Sequence, residues 1–245
     1  MNDTIHLLTR HRSERSFQTR SVDEELLSAI IQTGHKAPSA FNAQHISSVV
    51  VRAPETRQRI AELAGGQPWI ATAPVFITLI VDFHKTAQGV ARAGAEQHIH
   101  RCLEGMLAAA TDAGIILSTM MTAARSLGLG VVPVSGIRAN ASAMIELLQL
   151  PEKTFALCGM ALGYVLHPAA QKPRLPISSF RHDERYDPHA IAPAIGEHDQ
   201  AMLAHWQRQQ RPQPQSWSSS VGQRYSHNYR PQLRNQLRAN GLDIE

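Results

Sequence analysis

Five consecutive residues near the N-terminus, His11-Arg12-Ser13-Glu14-Arg15, concentrate hydrogen-bond donors and fixed positive charge in one short segment. A second cationic cluster, Lys172-Pro173-Arg174, stands far along the chain. Clusters of this kind suit an anion. A phosphate-bearing cofactor is the best candidate, because guanidinium and ammonium groups hold phosphate through charge-assisted, often bidentate bonds. A solvated basic turn is the competing reading, and these residues alone do not separate the two.

Three loops add polar and small residues where a ligand could approach backbone. Pro38-Ser39-Ala40-Phe41-Asn42-Ala43-Gln44 follows a helical pattern and precedes a β-branched run. Gly65-Gly66-Gln67 and Pro133-Val134-Ser135-Gly136 are similar. Loops at the edge of a sheet commonly carry ligand contacts, although each also reads as an ordinary connection. Other chemistries find little support. Among 13 histidines the closest pair is His98 and His100, and residues two apart face different sides of a helix. No HExxH spacing occurs, so no metal site is expected. The chain has no GxSxG elbow, no Walker A segment and no GxGxxG. Gly128-Leu129-Gly130 reads as a helix stop.

The elements that must position these loops follow from periodicity. A short helix is expected over 3–11. Ser21-Val22-Asp23-Glu24 has the capping-box pattern and opens a helix to about Lys36, with Leu26, Leu27, Ile30 and Ile31 at helical spacing. Ile46–Val51 reads as a strand, Pro54–Ala64 as a second capped helix, and the apolar run Pro74–Asp82 as a strand buried on both faces. The longest element is expected from about Glu96 to Leu127. Its part from Met106 to Ala124 is apolar nearly all round, which predicts burial on every side, between the sheet and a partner subunit. A strand over Val131–Val134, a helix over Asn140–Leu150 and a last strand over Phe155–Val165 follow. Beyond Pro168 the composition turns to Gln, Arg, Ser, Pro and His, too polar for a core of its own. Two short helices are expected there, over 197–207 and 230–242.

Bulk composition bounds the class. The chain has 245 residues, 43% apolar and 18% charged, with a net charge of +4, which describes a globular protein and leaves the partner class open. Cys102 and Cys158 show no paired or metal-binding pattern and are expected as reduced core residues. No signal peptide is visible, and no window is expected to serve as a membrane span. A cytoplasmic protein without a membrane partner is the expectation.

Taken together and in order, the loops and clusters resemble the FMN-dependent nitroreductase family, in particular the oxygen-insensitive NADPH nitroreductases and NADPH–flavin oxidoreductases. The matching segments are residues 11–17, 37–44, 65–67, 126–130, 135–138 and 172–176, with Trp217 and Arg230-Pro231. The resemblance covers nearly the whole chain. It implies an α+β fold with a central, mostly antiparallel sheet flanked by helices, a long buried central helix and a C-terminal arm, in an intertwined homodimer. Residues 1–167 would form the FMN-binding core. Residues 168–245 would wrap the core or its partner and contribute to flavin-phosphate and nicotinamide binding.

By the same resemblance, His11 and Ser13 with Lys172, Pro173 and Arg174 would hold the FMN phosphate, with Arg12 in the same loop. Arg15 would be the catalytic cation at the flavin N1–O2 edge, where two-electron reduction leaves negative charge. Ser39 of the second protomer and Gln67 would contact the flavin, and Pro133, Val134, Ser135 and Gly136 would pass backbone along its ring. Phe41, Arg208 and Arg230 would meet substrate or NADPH, with NADH a possible donor. Small planar acceptors (nitroaromatics, quinones, free flavin) would share one site with the nicotinamide, giving ping-pong kinetics. The chain departs from its relatives in Pro133 and Ser135, where an aromatic and a glycine are usual, and in Gln213, where a second arginine is expected and Arg211 stands nearby. Two other readings stay open: a flavin-holding protein with weak turnover, and a nucleic-acid binder using the Arg-rich tail, which has few stacking aromatics among its arginines.

Overall fold

The computed structural model describes residues 2–244. Its sheet has four strands in the order β1-β2-β4-β3, every pair antiparallel. They are β1 (Ile46–Val51), β2 (Val75–Asp82), β3 (Gly130–Val134) and β4 (Thr154–Gly163). Strand β2 is central and alternates its side chains between two cores. Phe76 and Ile80 join Ile60, Ile70, Val132, Val134, Ile137 and Met144 on one face. Val75, Ile77 and Leu79 join Leu27, Ile30, Met120, Ala124, Val131 and Met160 on the other. A sheet covered on both sides explains why β2 is apolar without interruption.

Helices α1 (Asp3–Thr9), α2 (Glu24–His35), α3 (Pro54–Leu63), α4 (Pro68–Thr72), α5 (Phe83–Arg92), α6 (Leu103–Ser126) and α7 (Ala141–Leu147) complete the body, joined by α10 (Leu233–Ala239). The chain divides into two compact units. One runs up to Ala169 and includes the stretch from Gln232 onward; the other is Ala170–Pro231. The second unit contains α8 (Ile191–Arg208) and α9 (Trp217–Tyr225), which pack together. Ser216 caps α9, and Ser218 N–H donates to Asp199 at 2.9 Å.

Several expectations change in detail. The capping box does not form: Asp23 is the N-cap of α2 and makes no side-chain cap bond, while Glu24 accepts from Ser28 and Arg52. Helix α3 likewise begins after Ala53 without a side-chain cap; Pro54 starts it by its fixed backbone angle. The long helix starts at Leu103 rather than near Glu96, because Ile99–Arg101 form a 3-10 turn and Cys102 is extended. Cys102 is therefore exposed, not a core residue. The polar tail forms α9 in addition to α8 and α10.

Helix α6 is not buried all round within one chain. One side packs on α2 and all four strands, whereas Leu107, Ala110, Thr111, Gly114, Ile115 and Ser118 are exposed. By length and composition α6 is apolar enough to cross a membrane, contrary to the expectation that no window would be. Its packing on the sheet, with buried Asp112 at mid-length, is that of a core helix.

Candidate active site

The segment after α1 is tied to the edge of the sheet. Glu14 N–H donates to Val131 O at 3.0 Å, Leu166 N–H to Ser16 O at 2.9 Å and Gln18 N–H to Tyr164 O at 2.8 Å. Glu14 is buried, and its carboxylate accepts from Ala169 N–H at 2.7 Å and pairs with Arg12 at 3.4 Å. A Cβ on Gly130 would lie 3.0 Å from the Glu14 side chain, so the β3 glycine admits this close approach.

This anchoring divides the cationic segment. Arg12 and Glu14 line a cavity of about 410 Å³ with His6, Arg10 and Arg125. Arg125 donates to Leu7 O, and burial, followed by the charge of Arg12, lowers its pKa. Arg15 points elsewhere. Its guanidinium lies 5.0 Å from the centroid of the Trp69 ring and donates to Ser13 O at 3.3 Å. A cation over an aromatic face is attracted to it and loses freedom to wander.

Trp69 sits on α4, directly after Gln67, which is the N-cap position of that helix. Gly65 and Gly66 have φ of +87° and +75° and turn the chain from α3 into this segment. Gln67 Nε2 donates to Ala64 O at 2.8 Å. Gly136, just past β3, comes so close that a Cβ there would meet Gln67 Nε2 at 2.0 Å and Ala64 O at 2.6 Å. Arg15, Trp69, Gln67 and Gly136 are therefore linked in one region. Pro133 and Ser135 are exposed beside it, while Val134 turns inward to the core.

The loop of Ser39 and Phe41 forms a separate group. Ser39 Oγ accepts from Gln44 N–H at 3.3 Å, and Phe41, with φ +52°, is wholly exposed at 103%. Asp112 of α6 receives Ala40 N–H at 3.2 and 3.0 Å. His45 Nε2 lies 3.0 Å from the same carboxylate, within ion-pair distance though off the hydrogen-bond line.

In the second unit, Arg211 and Lys172 lie over the Trp206 ring, at 4.4 and 5.4 Å from its centroid. Arg174 donates to Lys172 O at 3.4 Å and Pro173 O at 3.3 Å. His205 has its pKa lowered by burial, then by the charges of Arg208 and Lys172. Arg230 lies 5.2 Å from the Tyr229 ring.

Sequence reasoning missed Trp69, His45 and Asp112. Asp112 had a signal, as the one acid inside the apolar stretch from Met106 to Ala124. Trp69 had only its place two residues after Gln67. Among the described residues no cluster of His, Cys, Asp or Glu could hold a metal ion.

Comparison with known proteins agrees over the full chain. An FMN reductase (NAD(P)H) of Bacillus subtilis is 38% identical, with 100% of both chains covered. An NADPH-flavin oxidoreductase of Vibrio harveyi is 32% identical over 99% of each. Among solved structures, the NADPH:FMN oxidoreductase from Vibrio harveyi complexed with NAD+ has a TM-score of 0.90 at 31% identity, covering 100% of both chains. A hypothetical oxidoreductase from Bacillus subtilis reaches 0.97 at 38% identity, again over 100% of both. Residues 8–164 match the nitroreductase family and residues 172–245 match that family's C-terminal domain; the chain belongs to the nitroreductase family.

Proposed function

We propose that the protein is an FMN-dependent NAD(P)H oxidoreductase that delivers two electrons to small planar acceptors, namely nitroaromatics, quinones or free flavin. The observation that carries this reading is the Arg15 guanidinium, held against Trp69 beside Gln67 and Gly136. The residues present fit the cofactor. Gly136 lets the chain after β3 close directly on Gln67 and Ala64, with no room for a side chain between them, and so fixes the Gln67 amide beside the Arg15–Trp69 pair. The flavin ring needs a fixed cation and amide donors, which Arg15 and Gln67 provide. Bound FMN supplies the two-electron redox chemistry between nicotinamide and acceptor.

The chain's own residues bind, orient and stabilise. Arg15 offsets the negative charge that reduction places at the ring edge. In the first unit His11 and Ser13 are assigned to phosphate binding; in the second, Lys172, Pro173 and Arg174 are the phosphate-binding candidates. Arg12 is engaged with Glu14 and Ala169, and its part is to hold the segment in place. Pro133, Val134, Ser135 and Gly136 present backbone to the ring. Arg208, with Arg211 stacked on Trp206, favours the extra phosphate of NADPH over NADH, and Arg230 is assigned to substrate or donor.

A homodimer completes the proposal. The exposed side of α6 borders an apolar groove lined by Leu8, Thr33, Gly114, Ile115 and Ala123. A second copy covering it would bring its own Ser39 and Phe41 to the flavin. The two free cysteines accord with a reducing, cytoplasmic setting. Steady-state rates with NADPH and a quinone test the shared site: parallel double-reciprocal lines are expected, and intersecting lines would contradict it.

A further inference from the structure

We propose that Asp112 is a positioning residue, which from within α6 fixes the loop of Ser39 and Phe41 in the shape that donor and acceptor meet. This rests on the reading of that loop as part of the flavin site. Asp112 is 3% exposed in an otherwise apolar stretch of helix. A carboxylate so placed persists only when its oxygens are met by donors. Here both oxygens receive Ala40 N–H, and Oδ2 faces His45 Nε2 at 3.0 Å. One buried group thus meets both ends of the segment 40–45, by hydrogen bonds at Ala40 and by proximity at His45.

What lies between those ends is strained. Phe41, Asn42 and Gln44 take φ of +52°, +54° and +51°, a region that side-chain-bearing residues enter at a cost and keep only when their surroundings over-determine it. Inside the loop, Asn42 N–H to Ser39 O at 3.0 Å and Ala43 N–H to Ala40 O at 2.9 Å make a 3-10 turn, while the bonds that close it at Gln44, its N–H to Ser39 Oγ and its Nε2 to Asn42 O, are both long at 3.3 Å. Asp112 ties this loop to the fold. Phe41 is fully exposed, with a ring face free to stack on a planar molecule. Asp112 touches no reacting group. Its contribution is made through Ser39 and Phe41.

Two variants test this in the FMN-loaded protein. Asp112→Asn keeps the shape and one acceptor for Ala40 but removes the charge facing His45; His45→Gln changes the other partner and serves if the first variant does not fold. Expected is a KM for a quinone raised about tenfold with kcat changed less than about twofold, as loss of pre-set binding geometry gives. In a Phe41→Ala background neither variant should raise KM further, because the effect passes through Phe41. Chymotrypsin should also cut after Phe41 faster in both variants. That readout needs no turnover, so inactivity of the wild-type protein would reject the functional reading alone. Wild-type KM and cleavage rates in both variants, a fall in kcat and flavin content with KM unchanged, or KM effects that add to those of Phe41→Ala would each overturn the proposal.

Discussion

Arg15 owes its place to Trp69, and the two together show how far residue types alone can be read. The cationic segment stood out in the sequence because five consecutive residues concentrate donors and fixed positive charge. Its division did not, because the burial of Glu14 depends on Gly130 and Ala169, which are distant in sequence. On the proposed role of Arg15 at the ring edge, replacing it by Ala removes the cation that offsets the charge of the reduced flavin. Flavin reduction by NADPH in anaerobic stopped flow is expected to slow by about 100-fold, whereas Cys102→Ala leaves it unchanged. Equal effects would reject the role of Arg15. Cys158 gives a second test. Burial pushes its thiol up from the ordinary 9.0 to about 11, against a smaller opposing effect of Arg138. The folded state therefore keeps the proton after the unfolded chain has lost it, and stability falls as pH rises through this window. The loss approaches about 3 kcal/mol between pH 9 and 11. Denaturant titrations of wild type and Cys158→Ala should converge over that range; a constant difference would contradict the shift.

At the scale of elements, strong periodicity translated directly. β1 and β2 fall where β-branched and apolar runs placed them, and α2 buries Leu27 and Ile30 as its spacing implied. Elements with weak patterns did not. α5 carries Gly89 and five polar side chains among ten residues and buries only Phe83, and α9 carries three consecutive serines and buries none of its residues; helices that bury so little leave few apolar positions to read. The end of α6 was clear because its stop is local. Leu129 N–H reaches Ala124 O at 3.0 Å and Gly128 N–H reaches Arg125 O at 3.1 Å, a Schellman pair that requires the positive φ of Gly128, +80°. A Cβ at Gly128 would meet nothing within 4 Å, so the cost of Gly128→Ala is backbone strain alone. A destabilisation of about 1 kcal/mol is expected in urea; a stabilised variant would show that the helix ends by other means.

For the whole molecule, the sequence carried the α+β class and the family, since the matching loops span the chain. The apolar circumference of α6 predicts a place between the sheet and a partner subunit, and in one copy Leu107 and Ile115 are exposed, at 54% and 37%. A helix apolar on all sides reads the same whether the chain or a partner covers it. If a second copy covers this face, Ile115→Asp buries a charge at the contact and converts the dimer to a monomer at micromolar concentration. Flavin content should fall with it, both read by light scattering with absorbance detection. A dimer that persists unchanged would remove α6 from the interface. The central claim is that these residues hold a flavin able to pass electrons between two partners in turn. Anaerobic titration of the purified protein with NADPH tests it most directly: the yellow colour should bleach and return when a quinone is added. A colourless protein that takes up no added FMN, or a colour that NADPH leaves unchanged, would contradict it.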